Sequence, residues 1–276
     1  MNDSSDRRTP AVEIAPGIGM PRIGFGLFRL PPGAPARDAA TAALAAGYRL
    51  LDTAAVYRNE AEVGAAVAAC GLPRTSLFLT SKVWNDDQGY DTTRAAFERA
   101  RRALGAIDLY LLHWPVAGRR LDAWRALEDL HAEGQVRAIG VSNFMPRHLV
   151  ELLAAARVKP MVNQVELSPF LQQRELVALC RAEGITLTAY SPLTKGQRLQ
   201  HPLLQATAAR LGCTPAQLLL GWVLDQGHTL VVKSADPARM RENLAALDVV
   251  LDDAARDALN SLDEGLVTGW DPRQQP

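Results

Sequence analysis

The feature that most constrains this chain is an alternation. Short apolar runs rich in β-formers recur along it, and a longer amphipathic stretch follows each one. The runs are Arg22–Gly26, Arg49–Asp52, Leu77–Lys82, Ile107–His113, Ala138–Ser142, Met161–Glu166, Thr186–Ser191 and Thr229–Val232. Helix-like segments lie near 37–46, 59–70, 90–104, 121–133, 146–156, 173–183, 214–226 and 237–246. A strand followed by a helix, repeated, implies a parallel sheet with right-handed crossovers. Eight such units in a chain of 276 residues predict an α/β fold, a (β/α)8 TIM barrel, rather than an open sheet.

Residues 59–70 show the local logic. Asn59 is placed to cap, and Glu60 and Glu62 suit the positive end of the helix dipole. Val63, Ala66, Val67 and Cys70 make one apolar face, and Gly71 with Pro73 ends the helix. A doubly wound nucleotide fold would need G-x-G-x-x-G straight after a strand. Gly17–Ile18–Gly19 and Gly24–Phe25–Gly26 both lack the third glycine. The first reads as the turn of an N-terminal hairpin between Val12–Ile14 and the Met20–Pro21 region. No linker divides the chain, so 11–276 reads as a single barrel domain with a short C-terminal tail. Residues 1–10 read as a disordered, polar N-terminal tail without the apolar core of a signal peptide.

Composition narrows the class of function. The 30 basic and 30 acidic side chains balance, which argues against a nucleic-acid partner. No apolar run approaches the ~20 residues needed to span a bilayer. Cys70, Cys180 and Cys213 are odd in number and form no CxxC pair, which favours a reducing cytoplasm over a disulfide scaffold. The histidines at 131, 148, 201 and 228 show no ligand spacing, so no metal site is expected. The zero net charge permits self-association without requiring it.

Polar residues gather where the strands end. That is the face on which such barrels build their sites. Asp52 ends the second run, and Tyr57 follows it before the next helix. Lys82 ends the third run and His113 the fourth. Ser142–Asn143 end the fifth, Asn163, Gln164 and Glu166 lie in the sixth, Tyr190–Ser191 end the seventh, and the eighth runs into Lys233–Ser234. Burying such groups is unfavourable unless they are paired.

Together, Asp52, Tyr57, Lys82 and His113 suggest acid–base chemistry. A phenol with a pKa near ~10 is a poor acid at neutrality. A neighbouring ammonium is expected to lower it, with the carboxylate holding the ammonium in place. His113 is placed to hydrogen-bond a carbonyl oxygen. Such a site protonates oxygen, while hydride must come from a nicotinamide or flavin cofactor. Tyr190 offers a flat face for an aromatic ring, and Ser142, Asn143 and Gln164 suit a carboxamide. Asp236 and Pro237 read as the N-cap and first position of the last helix. With Lys233 and Arg239 beside it, that helix start suits a phosphate on the adenosine ribose.

The basic residues are themselves unevenly chosen. Lysine occurs only at 82, 159, 195 and 233, so the other 26 of the 30 are arginine. Lysine can shift its pKa and acts as a compact charge, which arginine cannot do. Two of the four lysines fall at strand ends.

The stretch Gly47-Tyr-Arg-Leu-Leu-Asp52-Thr-Ala-Ala-Val-Tyr57-Arg-Asn-Glu60-Ala-Glu-Val-Gly64 resembles the first signature of the aldo-keto reductases. Supporting blocks are Thr80-Ser-Lys82-Val-Trp84, Leu112-His113-Trp114-Pro115, Gly140-Val-Ser142-Asn143-Phe144, Asn163-Gln164, Ala189-Tyr190-Ser191-Pro192-Leu193, and Lys233-Ser234 through Glu242-Asn243. The resemblance runs from about Pro21 to Asp271. It implies carbonyl reduction with NADPH on a (β/α)8 barrel, without metal or flavin, by a monomer. It also implies a catalytic tetrad of Asp52, Tyr57, Lys82 and His113. Tyr190 would stack on the nicotinamide, and Ser142, Asn143 and Gln164 would bind its amide. Lys233, Ser234 and Arg239 would hold the 2′-phosphate, and Glu242 and Asn243 would meet the adenine. Ser191, Leu193 and the loop around Lys195 would follow the pyrophosphate. Phe28, Trp84, His113 and Trp114, with Trp270, would line the substrate pocket, while Trp124 and Trp222 read as core.

Within the family, Gly26-Leu-Phe-Arg-Leu30, Glu166-Leu-Ser-Pro-Phe170-Leu-Gln and Gly265-Leu-Val-Thr-Gly-Trp270-Asp271 resemble bacterial 2,5-diketo-D-gluconic acid reductases. That group also reduces methylglyoxal and β-keto esters. Three departures matter. Asp236 stands where many relatives carry a neutral residue, which leaves NADH use open. Phe28 replaces a tryptophan of many eukaryotic members. About seven residues separate Pro115 from the next helix, and the tail after Leu262 is short, so an open mouth for small or varied carbonyls is expected. Two other readings stand beside the reductase: a Schiff-base aldolase using Lys82, and a non-catalytic NADPH-binding module.

Overall fold

The computed structural model describes residues 10–276, so the N-terminal tail expected at 1–10 lies outside the described residues except for Pro10. Two strands, β1 (Ala11–Ala15) and β2 (Ile18–Pro21), form an antiparallel hairpin in which Glu13 pairs with Gly19. Gly17 turns it with φ of 74°, a left-handed conformation that glycine adopts without steric cost. Its amide donates to Glu13 Oε1 at 2.8 Å.

Eight further strands close into a parallel barrel in the order β10-β3-β4-β5-β6-β7-β8-β9. They are β3 (Ile23–Gly26), β4 (Leu50–Asp52), β5 (Phe78–Val83), β6 (Leu109–Leu112), β7 (Ala138–Ser142), β8 (Val162–Glu166), β9 (Thr186–Tyr190) and β10 (Thr229–Val232). Closure is made by β10 against β3, with Leu230 opposite Ile23 and Val232 opposite Phe25. This is the TIM-barrel architecture, and all eight strands fall on the runs read from sequence.

The hairpin decides which end of the barrel is open. Its Ile14 and Met20 are buried with Leu50, Phe78, Leu109, Ala138 and Val162. Those five residues begin their strands or stand first in them, so the hairpin plugs the N-terminal end. The C-terminal strand ends remain available for a site. Ion pairs brace the plugged side: Asp108 meets Arg74 at 2.5 Å and Arg137 at 2.9 Å, and accepts from the Leu79 amide.

Among the described residues, ten α-helices surround the sheet: α1 (Ala34–Ala46), α2 (Glu60–Ala69), α3 (Tyr90–Leu104), α4 (Arg120–Ala132), α5 (Pro146–Ala155), α6 (Arg174–Glu183), α7 (Pro202–Leu211), α8 (Pro215–Asp225), α9 (Pro237–Leu244) and α10 (Asp253–Asn260). Eight match the segments read from sequence. Helices α7 and α10 have no counterpart among those segments, because one helix per strand accounts for the barrel and leaves them over. Both carry clear local signals. Pro202 opens α7 and Gly212 ends it in the left-handed region, while the Asp252 side chain accepts from the Ala255 amide at 2.8 Å to cap α10.

The capping role expected of Asn59 is also corrected. Its side chain makes no cap. It donates instead to the carbonyls of Leu27 and Leu30, both at 3.1 Å, and accepts from Thr53 Oγ1 at 2.7 Å. Asn59 therefore ties the β3 loop to the loop that carries Tyr57. Trp124 and Trp222 are core residues, as expected. No helix among the described residues is long and apolar enough to cross a membrane.

Candidate active site

At the open end, Asp52 ends β4 and Lys82 lies near the end of β5. His113 follows β6, and Tyr57 closes a short 3-10 turn, Ala55–Tyr57. The structure brings the four together. Lys82 Nζ lies 2.5 Å from Asp52 Oδ1 and donates to the Thr53 carbonyl at 3.0 Å. The lysine side chain is 0% exposed, so the carboxylate is what makes a buried ammonium tolerable. The other carboxylate oxygen, Oδ2, accepts from Gln164 Nε2 at 2.8 Å. Lys82 Nζ also stands 5.2 Å from the centroid of the Tyr57 ring, and the His113 ring is 5.7 Å from that ring.

Electrostatics correct one expectation. Tyr57 is pushed well above its ordinary pKa, first by burial and then by the negative charge of Asp52. The ammonium of Lys82 is engaged by Asp52 and does not pull the phenol down. Tyr57 keeps part of its surface open toward the mouth and stays a protonated phenol. Burial lowers the pKa of Lys82 from its usual value, while Asp52 opposes that shift. His113 is held well below its usual value by burial and by the charge of Lys82. It is a neutral imidazole with one donor and one acceptor nitrogen. Its Nδ1 is buried without a hydrogen-bond partner among the described residues.

The residues assigned to a carboxamide bridge neighbouring strands. Tyr190 Oη donates to Asn143 Oδ1 at 2.7 Å, and Asn143 Nδ2 donates to the His113 carbonyl at 2.9 Å. Ser142 Oγ donates to the Gln164 carbonyl at 2.8 Å. Asn143 sits at φ 64°, a strained conformation held by these contacts. Tyr190 is only half-buried, so part of its ring surface remains available. Asn163 instead turns away to donate to the Phe144 carbonyl.

Beyond β9 the chain is strained again. Ser191, Thr194 and Lys195 all have φ near 50°, uncommon for residues with a side chain. Thr194 Oγ1 is buried without a partner among the described residues. Leu193 packs on the core, and Lys195 Nζ donates to the Thr268 carbonyl. At the start of α9 the capping expectation holds: Asp236 Oδ1 accepts from the Ala238 amide at 2.8 Å, and Ser234 Oγ accepts from the Asp236 amide. Lys233 is exposed and makes no ion pair among the described residues. Arg239 is exposed too, 3.9 Å from Asp236 Oδ2. Glu242 is half-buried and Asn243 buried on the same helix.

Aromatic rings surround the mouth. Phe28 lies 5.1 Å from the Tyr57 ring, and Trp84 lies 5.2 Å from the His113 ring. Trp114 is buried, its carbonyl accepting from Gln88 Nε2 at 2.7 Å. Trp270 of the C-terminal tail comes within 5.9 Å of Trp114 and 6.5 Å of Trp84, centroid to centroid. Sequence reasoning missed the bond from Gln164 to Asp52 and the partners of Glu166. A signal was present: positions 164 and 166 share one face of a strand by the period of two.

The profile of the Aldo/keto reductase family matches residues 22–264. The chain belongs to the aldo/keto reductase family. A Bacillus subtilis protein described as an uncharacterized oxidoreductase is 45% identical over 262 residues, 93% of this chain and 94% of its own. Glyoxal reductase of the same organism is 44% identical over 263 residues, 95% of each chain. The crystal structure of Bombyx mori aldo-keto reductase in complex with NADP superposes with a TM-score of 0.90 at 31% identity, covering 98% of both chains. Within the described residues of this aldo/keto reductase, no group of three or more His, Cys, Asp or Glu side chains is arranged to hold a metal ion.

Proposed function

We propose that the protein is an NADPH-dependent reductase of aldehydes and ketones, with Tyr57 as the proton donor. The observation that carries this reading is the convergence of Asp52, Lys82, Tyr57 and His113 at the open barrel end.

The residues present fit the cofactor. Strained backbone at Ser191, Thr194 and Lys195, with an orphaned Thr194 hydroxyl, makes a loop suited to a pyrophosphate. Lys233, with no ion pair among the described residues, and Arg239 beside the start of α9 suit a 2′-phosphate. The half-buried Tyr190 suits a stacked nicotinamide, with Ser142, Asn143 and Gln164 beside its amide. Glu242 and Asn243 suit the adenine. Solved relatives bind the same cofactor, as the Bombyx mori complex with NADP illustrates. When bound, the nicotinamide supplies hydride.

The protein side of the reaction follows from protonation states. Neutral His113 donates a hydrogen bond to the substrate carbonyl oxygen and polarises it. As negative charge grows on that oxygen, Tyr57 donates its proton to it. The raised pKa of Tyr57 does not oppose this step, because an alkoxide is a far stronger base than the phenolate left behind. It keeps the donor loaded across neutral pH. Asp52 holds the Lys82 ammonium 5.2 Å from the Tyr57 ring, and that pair fixes the surroundings of the proton donor.

The substrates proposed are small or polar carbonyls: methylglyoxal first, then β-keto esters and 2,5-diketo-D-gluconate. Two observations support this class. Phe28 is 51% exposed and Trp270 71% exposed, so the mouth is open. A relative of 44% identity is a glyoxal reductase. The Schiff-base reading is disfavoured because Lys82 is fully buried and held by two acceptors. The binding-module reading is disfavoured because all four groups of the tetrad are present and assembled. We further propose one barrel domain, monomeric and cytoplasmic, in keeping with three free cysteines.

The test is a panel of aldehydes and ketones, methylglyoxal included, followed by NADPH absorbance. Consumption of NADPH with alcohol formation is expected. NADPH binding with no consumption across the panel overturns the reading.

A further inference from the structure

We propose that Glu166 is a positioning residue that sets substrate preference by fixing the C-terminal tail and, through it, Trp270. The proposal rests on the reductase reading above and adds which carbonyls are preferred and why.

Glu166 ends β8, two residues beyond Gln164, and is buried. It makes no ion pair among the described residues. Instead its carboxylate takes three donors from the tail. Oε1 accepts from the Thr268 amide at 2.9 Å and from the Thr268 hydroxyl, and Oε2 accepts from the Gly269 amide at 3.3 Å. The opposite side of Thr268 is held as well, since its carbonyl accepts from Lys195. Thr268 is therefore clamped between the end of β8 and the loop after β9. Trp270 follows two residues later.

Packing does not do this work. Trp270 is 71% exposed, so its contacts with Trp84 and Trp114 bury little of it. Around it the tail runs beside a cavity of about 520 Å³ lined by Glu166, Val267, Asp271, Met145 and Leu176, among others. Beside this open groove residues 267–270 are only half-buried or exposed, so polar tethers rather than close packing hold them. Glu166 supplies three of them next to Trp270. All three point N–H or O–H groups at the carboxylate, so an amide at this position would set its own NH2 against a donor.

Trp270 stands at the rim, beyond the groups that act on the carbonyl. A small dicarbonyl such as methylglyoxal ends before it. A carbonyl with an aromatic substituent reaches it and gains apolar contact. Within the aldehydes and ketones of the reductase reading, Glu166 therefore raises the relative rate of aromatic carbonyls, while the small ones are turned over without its help, and it touches no substrate.

The experiment measures kcat/KM for phenylglyoxal and methylglyoxal in the wild type, in Glu166→Gln, in Trp270→Ala and in the double variant. NADPH affinity and backbone hydrogen exchange across 264–271 are measured alongside. Glu166→Gln is expected to lower the phenylglyoxal-to-methylglyoxal ratio about tenfold, the scale of one lost apolar contact in a pocket. It is also expected to speed exchange of the tail while the barrel strands stay protected. In the Trp270→Ala background the same change is expected to move the ratio by less than about twofold, because coupled residues lose their effect when the partner is gone. Thr268→Ala, which removes one of the three donors, is expected to lower the ratio by a smaller factor. It supplies the test if Glu166→Gln does not fold. An unchanged ratio in Glu166→Gln, or an equal fall without Trp270, overturns the proposal. If the wild type reduces neither substrate, the reductase reading fails instead. The exchange measurement then still decides whether Glu166 holds the tail.

Discussion

Gln164 donates to Asp52 at 2.8 Å across the barrel mouth, from a strand 112 residues further along the chain. That bond joins two groups that the sequence presents as separate. Asp52 binds Lys82 through one oxygen and Gln164 through the other, so the carboxylate links the proton-donating side of the site to the carboxamide-binding side. Gln164→Ala is expected to affect both sides. It should raise KM for NADPH and also lower kcat, because Asp52 loses a fixed partner. Steady-state kinetics with each substrate varied in turn would show the split. A change in KM alone would mean that the link carries no catalytic consequence.

Lys82 has no substitute in this geometry. Its side chain is fully buried between Asp52 and the Thr53 carbonyl, which leaves no room for a forked guanidinium. Lys82→Arg should reduce kcat by roughly a hundredfold or more, on the scale of losing an acid–base element. Lys82→Met removes the charge and leaves Asp52 buried and unpaired, which should destabilise the fold by about 3–5 kcal/mol. Denaturant titration checks the second outcome and turnover the first.

The start of α9 separates binding of the phosphate from helix stability. Lys233→Met should raise KM for NADPH and leave KM for NADH nearly unchanged, since only the former carries the 2′-phosphate. Asp236→Ala removes the cap on the Ala238 amide and should cost about 1 kcal/mol of stability. It should leave the preference between the two cofactors in place, because the carboxylate is turned to its own helix. A marked gain in NADPH affinity in that variant would show that Asp236 faces the ligand.

Two histidines predict how stability responds to acid. Burial and the charge of Lys82 hold His113 well below its usual pKa. His228 is lowered to about 4, by burial and then by Arg181. In both cases the unfolded chain binds a proton that the folded protein refuses. Above the unfolded value near ~6.5 neither state is protonated and nothing is lost. As pH falls from there toward about 4, stability should decline, and Tm should fall with it. His228→Gln should flatten part of that decline without altering catalysis. A Tm that stays level through this range would contradict the assignment.

The sequence carried much of this in readable form, and physical reasons explain what it did not. The barrel was legible because its signal is periodic: eight apolar runs, seven of which end in or lead directly into polar residues. Asp52, Lys82 and His113 were legible because a charge at the end of a buried strand is costly unless it has a purpose. Helices α7 and α10 were not, since a strand–helix count is satisfied without them. The direction of the Tyr57 shift was not legible either. It depends on whether Lys82 is engaged by Asp52 or by the phenol, and only three-dimensional distances decide that. Glu166 and Thr268 lie 102 residues apart, with no periodicity to connect them. Asn59 has the composition of a cap, yet its side chain ties two loops together instead.

Every prediction about turnover depends on Tyr57 being the proton donor of a carbonyl reductase. The most direct measurement compares wild type and Tyr57→Phe in NADPH consumption with methylglyoxal, with the Kd for NADPH measured on the same preparations. Steady consumption by the wild type, a fall in kcat of about 10²–10⁴-fold in the variant, and a Kd for NADPH within about twofold of wild type are expected. Wild-type turnover in Tyr57→Phe would contradict it.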